Sequence, residues 1–359
     1  MAKRPNGSIG IDLSMDGIRV VTFEQKKDLR IRQRQAAVLA TNTFADDREV
    51  HWQVIEPVLA DVLAKANIKK GRAHVAIPDQ FAVIRELSLP DFSDEELRSL
   101  IQFELTNSIH VPFQEVVFDF VRVPKKDAVT ENPDEVNVIL VAADKLLCER
   151  IVSLLHKFRI RTMSIELRSL AAHRVLKRVR DLPETFLLVE TTASGTSIHV
   201  FHGDVLYLTR QVTLSLQDAE TMEGGAGAGL LAGSDWLVNP DSLPHITDEQ
   251  QTSTTVEQLL AGAYVSRIAA ELDRTRNFFH YTLNRRQAEF SEVVFVGGRS
   301  VTPEVMEELR NRLGMPVTSL AFQDMIDKGL FKERRGASWL GDERADEYAV
   351  AIGLALREV

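Results

Sequence analysis

The stretch SIGIDL (8–13), SMDG (14–17), IRVVTF (18–23) reads as an apolar strand ending in an acid, a small polar turn, and a second strand with alternating character. The same order returns about half a chain later. FLLVE (186–190) leads into TTASGT (191–196) and SIHVF (197–201), and an HGD turn (202–204) precedes VLYLT (205–209). Each copy carries one acid just before its turn, Asp12 in the first and Glu190 in the second. A duplicated hairpin of this kind suits two lobes that grip a charged ligand between them.

The turns suggest what the ligand is. Ser14, Gly17, Thr192, Ala193 and Gly195 carry little side chain, so backbone N–H groups can approach an anion. An acid beside each turn can hold a cation through water, and magnesium uses one or two carboxylates while keeping several waters. Phosphate with magnesium is the implied ligand. Either hairpin alone reads more readily as an ordinary β-hairpin with turn-forming residues; the duplication shifts that reading.

The 359 residues exceed one ordinary core, so two lobes are expected. With 44% hydrophobic and 26% charged residues the chain reads as soluble and globular. The formal charge of −9 argues against non-specific nucleic-acid binding. A single cysteine, Cys148, excludes an intrachain disulfide framework, and the nine histidines show no HExxH spacing. No run approaches the roughly 20 apolar residues of a membrane span and the start lacks a signal-peptide core, so a cytoplasmic location is expected.

Along the chain, a helix is expected near 55–67 and a buried strand over AHVAIP (73–78). The next section, 79–178, reads as a module of its own. FAVIRELSLP (81–90) alternates like a strand, and Ser93 with Glu96 forms a capping-box signature for a helix with Leu97, Leu100, Ile101 and Leu105 on one face. Strands follow over 115–123 and 135–142. A helix from about 145 carries Leu147, Ile151, Leu154, Leu155 and Phe158, expected to fill the same module core. Residues 221–255, with GGAGAG and many Ser, Thr and Asp, read as a mobile insertion; they lack the Lys-Ser/Thr ending of a phosphate loop. A long helix is expected at 256–282, then the strand and turn VFVGG (294–298), and a helix capped by Thr302 and Pro303 and ended by Gly314.

In this order the parts resemble the actin/Hsp70/sugar-kinase superfamily and, within it, the PilM family of type IV pilus assembly proteins, related to FtsA. The resemblance rests on the two hairpins, VFVGG (294–298), LPDFSDEELRSLIQFE (89–104), IHVPFQEVVFDF (109–120), VILVAADK (138–145), ELDRTRNFF (271–279) and AVAIGLAL (349–356). It implies an α/β, actin-like/ribonuclease H-like two-lobed ATPase fold with an inserted α+β subdomain. The first lobe would occupy 1–78, the inserted subdomain 79–178 and the second lobe 179–335; a C-terminal helix, 336–359, would return to the first lobe. It also implies ATP or ADP with Mg in the cleft. Asp12 and Ser14 would sit at the first phosphate loop, with Arg19 in place of a common lysine. Glu190, Thr192 and Ala193 would form the second loop, and Asp12 and Glu190 would face the metal. Glu271 and Arg274 would face ribose and base, with Gly297 and Gly298 beside the adenosine, and Glu166 matches an acidic position near the interlobe connection.

The chain departs from the family pattern in both loops, carrying DLS (12–14) and ETT (190–192) where relatives have DIG. A Cβ disfavours the positive φ that a phosphate cradle uses, which argues against hydrolysis and leaves nucleotide binding open. The implied function is a cytoplasmic adaptor at the inner face of the inner membrane. It would bind the N-terminal cytoplasmic peptide of PilN and connect it to the pilus motor ATPases and the platform protein. A small-molecule kinase of the same superfamily and an FtsA-like division protein are the alternatives; the former needs a catalytic base that no constellation identifies. The latter would carry a membrane-binding helix after the fold, and a GspL-like protein would continue into a membrane span.

Overall fold

Strand β1 (Ile9–Leu13) is buried at all five positions, which a strand achieves only with neighbours on both edges and cover on both faces. It pairs antiparallel with β2 (Gly17–Gln25), which pairs antiparallel with β3 (Leu29–Val38). On its other edge it pairs parallel with β4 (Gly71–Ile77), and β4 pairs parallel with β8 (Ile160–Leu167). The resulting order is β3-β2-β1-β4-β8. The second half builds the same sheet from β9 (Thr185–Thr192), β10 (Gly195–His202), β11 (Val205–Val212), β12 (Glu292–Val296) and β13 (Val317–Ser319), in the order β11-β10-β9-β12-β13. The duplication holds at the level of register. Asp12 lies opposite Arg19 and Glu190 opposite Ser197, the residue seven further on in each copy. This computed structural model describes residues 8–25, 29–39, 43–44, 50–125, 132, 134–192, 195–212, 249–297, 302–328 and 345–358.

The two sheets are joined through buried helices. Helix α4 (Arg168–Val179) follows β8 directly, and the C-terminal helix α8 (Ala349–Ala355) is buried at every position. Both belong to one apolar cluster that takes Val21 and Phe23 from the first sheet and Phe186, Leu188, Val294 and Val296 from the second. The small residues of AVAIGLA let backbones meet. A Cβ on Gly10 of β1 would lie 1.9 Å from Ala351 O, and one on Gly353 would lie 2.0 Å from Ala171 O of α4. Helix α8 is therefore in backbone contact with a strand on one side and a helix on the other.

The inserted module is smaller than the sequence suggests. Its three-stranded antiparallel sheet has the order β5-β7-β6, from β5 (Ala82–Pro90), β6 (Val116–Arg122) and β7 (Glu135–Asp144). Helix α2 (Asp94–Asn107) lays Leu97 and Ile101 on that sheet with Val136, Val138 and Leu140. Its capping box is present: Ser93 Oγ accepts from Glu96 N, and the Glu96 carboxylate accepts from Ser93 N at 2.9 Å. Helix α3 (Lys145–Lys157), expected in the module core, instead packs Leu147, Ile151, Leu154 and Leu155 into the first lobe, with α1 (Trp52–Lys65) and β1. With β8 in the first sheet, the chain has left the module by Asp144, well before the expected boundary at 178. Helix α5 (Glu249–Asn277) begins seven residues earlier than expected, inside the segment read as loose, and gives way to a π-helical turn over Phe278–Thr282. The remainder of that segment, 221–248, lies outside the described residues. Helix α6 (Pro303–Leu313) starts at the Thr302 cap and ends at Gly314, whose φ of 63° is left-handed; α7 (Phe322–Asp327) follows β13.

The glycine contacts give a stability contrast. Gly353→Ala forces a side chain into the Ala171 carbonyl and is expected to cost about 3 kcal/mol, whereas Gly262→Ala on α5, with no atom within 4 Å of the added Cβ, is expected to stabilise by about 0.5–1 kcal/mol. Urea unfolding of both variants checks the pair, and equal effects would refute the crossing. A second test concerns His173 of α4, which stacks on Phe201 at 4.4 Å between ring centroids. Burial, aided by Lys177 and Arg174 and opposed by Asp204, pulls its imidazole down to about 4. The fold thus favours neutral His173: its contribution is complete above about 6.5 and is lost as pH falls toward 4. Wild type should lose thermal stability across that window more steeply than His173→Phe; parallel melting curves would contradict this.

Candidate functional site: a buried charge cluster between the lobes

The parallel strands β1, β4 and β8 end on the same side of the first sheet, as β9 and β12 do in the second, and the charged residues gather where these ends face each other. Asp12 is wholly buried near the end of β1, and Glu190 is 2% exposed on β9. Between them lies Arg168, the first residue of α4. Its Nη1 donates to Asp12 Oδ1, and its Nε donates to Glu190 Oε2 at 3.1 Å. One guanidinium thus joins the two acids that the sequence assigns to two phosphate loops. Two further buried groups complete the cluster. Asp79 follows β4 after Pro78 and bonds to Ser197, while His199 of β10 holds Thr209 Oγ1 through Nδ1 at 2.9 Å. His199 Nε2 lies 3.7 Å from Glu190 Oε1 and 3.8 Å from Asp79 Oδ2.

Burial dominates the electrostatics here. It raises the Asp12 carboxyl above its ordinary value, with Arg168 and Arg19 working in opposition. It raises Asp79 and Glu190 as well, against the attraction of Arg168, and in each case neighbouring carboxylates push further in the same direction. It lowers His199 to about 3, with Arg168 adding to the effect. Arg168 stays protonated, because its acidic neighbours outweigh its desolvation.

The first turn carries a second ionic group. Arg19 donates to Ser14 Oγ at 2.8 Å and to Glu347 Oε2 at 2.9 Å, and it pairs with Asp16 at 3.3 Å. Asp16 is held below the ordinary carboxylate range: burial works to raise it, but Arg19 and the Ser14 hydroxyl prevail. Each turn is held by its own hydroxyl: Ser14 Oγ donates to Asp16 Oδ1 at 2.6 Å, with Gly17 O a further neighbour at 2.9 Å, and Thr192 Oγ1 donates to Gly195 O at 3.1 Å. Gly297, at φ 98°, lies against the second turn, where a Cβ would sit 3.0 Å from Thr191 O.

The cleft brings together Asp16, Arg19, Arg168, Glu190, Thr192, Gly297 and Glu347, around a cavity of about 10 Å³, room for about one water. A magnesium-bound triphosphate does not fit this arrangement. The place between Asp12 and Glu190 is taken by Arg168, and the hydroxyls at 14 and 192 tie their turns shut. Glu271 and Arg274 of α5 are paired with each other, and Glu271 also meets Arg210 of β11 at 3.1 Å; neither lines that small cavity. Glu166 accepts from Arg174 and Arg357, each at 2.8 Å. Ala193 and Gly298 lie outside the described residues. Arg168, Asp79, His199 and Glu347 were not singled out from the sequence. Arg168 and Asp79 do share a signal: each stands within two residues of the end of a parallel strand, where such sheets collect their functional groups.

Two matching five-stranded sheets around buried helices, with an α+β insertion in the first half, define a protein of the two-lobed actin-like and ribonuclease H-like class. The family model for type IV pilus assembly protein PilM matches residues 10–359, and the chain belongs to that family. Among solved structures, a PilM-PilN type IV pilus biogenesis complex is similar with a TM-score of 0.75 at 18% identity, over 99% of each chain. More distant are EutJ from Carboxydothermus hydrogenoformans (TM-score 0.47, 12% identity, 99% of this chain and 91% of that one) and MreB 5 of Spiroplasma citri bound to AMPPNP (0.48, 9%, 91% and 95%). A search of curated proteins gives no match.

The Arg168 bridge has a direct test. Arg168→Met leaves two buried carboxylates without their cation and is expected to cost about 3–5 kcal/mol in urea unfolding. The same substitution in an Asp12→Asn background should cost measurably less, because one of the stranded charges is gone. Strict additivity would show that the bridge is not a coupled unit.

Proposed function

We propose that this protein is a cytoplasmic adaptor of type IV pilus assembly. It holds the extended N-terminal segment of PilN and so connects an inner-membrane complex to the motor ATPases and the platform protein. The observation that carries this reading is the family match across residues 10–359. It is supported by the likeness in fold to a structure of a PilM-PilN complex. Among the described residues no helix is long and apolar enough to cross a membrane, so attachment to the inner face of the inner membrane would come through the partner.

The surface offers an extended peptide a place to dock. Strand β6 is an edge of the module sheet and β8 an edge of the first sheet, and helix α3 packs beside both. Val117 and Val121 on β6 and Met163 on β8 are exposed apolar side chains along those edges. An extended segment can pair its main chain with such an edge and place alternate side chains on it. The adaptor role requires no nucleotide. Arg168 supplies the positive charge that a nucleotide-bound magnesium ion would otherwise bring to Asp12 and Glu190, and the ribose and base contacts expected of Glu271, Arg274 and Gly297 are not called upon.

Calorimetric titration tests both parts. A peptide from the PilN N-terminus should bind the full chain, and Val117→Lys with Val121→Lys, which alter only exposed positions, should weaken it about tenfold or more. Mg-ATP should give no saturable heat. Undiminished peptide binding by the double variant would remove the β6 edge from the proposal, absence of peptide binding would remove the adaptor, and tight Mg-ATP binding would remove the nucleotide-free reading.

A further inference from the structure

Three polar atoms at the centre of the molecule are buried with no hydrogen-bond partner: Glu190 Oε1 and His199 Nε2, which face each other at 3.7 Å, and Asp79 Oδ1, whose companion oxygen Oδ2 is the one nearer the imidazole. One donor atom from each of these residues lies within 4.8 Å of the others, and all three residues are buried. The imidazole is wholly buried, with its Nδ1 engaged by Thr209, so Nε2 is aimed at the two carboxylates. At 3.7–3.8 Å it is too far from either to be hydrogen-bonded. With Nδ1–H donating to Thr209, Nε2 presents a lone pair, and that lone pair facing two carboxylates in a dry interior is repulsive unless something positive lies among them.

Charge counting identifies that something. Three acids, Asp12, Asp79 and Glu190, meet in the cluster and a single guanidinium, Arg168, pairs with two of them, so carboxyl groups outnumber cations there. We infer that Asp79, Glu190 and His199 form a binding site for one divalent transition-metal ion, of the zinc or manganese type, that links the two lobes. The donor set selects the class: an imidazole nitrogen suits zinc and its first-row neighbours and is a poor ligand for magnesium or calcium. The spacing suits it too, since donors about 2.0–2.2 Å from a tetrahedral ion stand roughly 3.3–3.6 Å apart. The surroundings are those of a metal site. Thr209 orients the imidazole through its far nitrogen, and Arg168 holds the far oxygen of Glu190, so both ligands have the outer partners that fix them. Asp79 comes from the end of β4 in the first lobe, whereas Glu190 and His199 come from β9 and β10 in the second. The ion would therefore be structural, closing the lobes on each other. It differs from a nucleotide-bound magnesium between Asp12 and Glu190 in position, ligands and independence from phosphate.

The test uses the full chain, stripped with chelator, desalted and equilibrated separately with Zn²⁺, Mn²⁺ and Mg²⁺ without nucleotide. Metal analysis after a second desalting should find one zinc or one manganese per chain and no magnesium, and thermal unfolding should shift upward with the retained ion only. His199→Leu, which keeps the apolar bulk, should lower the affinity about 10–100-fold. Pulsed electron paramagnetic resonance of the Mn²⁺-loaded wild type should show coupling to one imidazole nitrogen, a reading that does not depend on whether the variant folds. Failure to retain either transition ion, retention unchanged by His199→Leu, or a manganese signal without imidazole coupling would each overturn the inference.

Discussion

The contact between Arg168 and the acids at 12 and 190 is the constraint around which the two lobes are arranged. It is also locally unfavourable. A cation in the first turn of a helix opposes the positive end of the helix dipole, and a fully buried charge carries a desolvation cost of several kcal/mol. The site can exist only because β1 and β9 present a carboxylate from each half at the same point. A group placed against its local preference and compensated by tertiary partners marks a position that the fold is built to hold. Here that position is the one where a two-lobed protein of this class would meet a charged ligand.

The C-terminal segment reinforces the same closure. Just before α8, Glu347 pairs with Arg19; just after it, Arg357 pairs with Glu166, and Arg174 of α4 donates to Gly353 O. Between these ion pairs the helix touches β1 at Gly10 and α4 at Ala171, backbone to backbone. Close-packed interiors do not deform continuously. Helix α8 thus fastens α4 to the first sheet, and Arg168 at the start of α4 carries that fastening on to Glu190 of β9 in the second.

Much of this was legible in the sequence. The alternating hairpins, their acids and their small turns fixed the positions of β1, β2, β9, β10 and β11, and cap signals placed α2 and α6 at Ser93 and Thr302. The misreadings share a physical cause. Periodicity shows which face of a helix is buried but not what buries it, so the stripe of α3 was legible while its seat in the first lobe was not. The opening of α5, EQQTSTT, is polar on every side and carries no period to read. His199 sits inside a strand whose alternation says only that it is buried. Its convergence with Asp79 and Glu190 depends on three elements up to 120 residues apart (79 to 199), and no local pattern encodes that. The substitution of serine and threonine for glycine in the turns was visible, and its consequence, a hydroxyl bonded within each turn, follows from the residue type.

These features bear on how such an adaptor could be regulated. A ligand moves an equilibrium only by its differential affinity for the two states. A nucleotide entering this cleft would have to displace a guanidinium from two buried carboxylates and free two hydroxyl-closed turns before making any contact of its own. Breaking a buried ion pair costs about 3–5 kcal/mol, which lowers the apparent affinity by a factor of roughly 150 to 5,000. A nucleotide of ordinary micromolar affinity would then bind only in the millimolar range. The exposed edges of β6 and β8 lie beside α3, on elements that do not line the cleft, so a peptide docked there can be held without any change between the lobes. Internal pairing of Asp12 and Glu190 thus favours a constant platform over a switch, and control of assembly would fall to whatever determines the supply of partners to that edge.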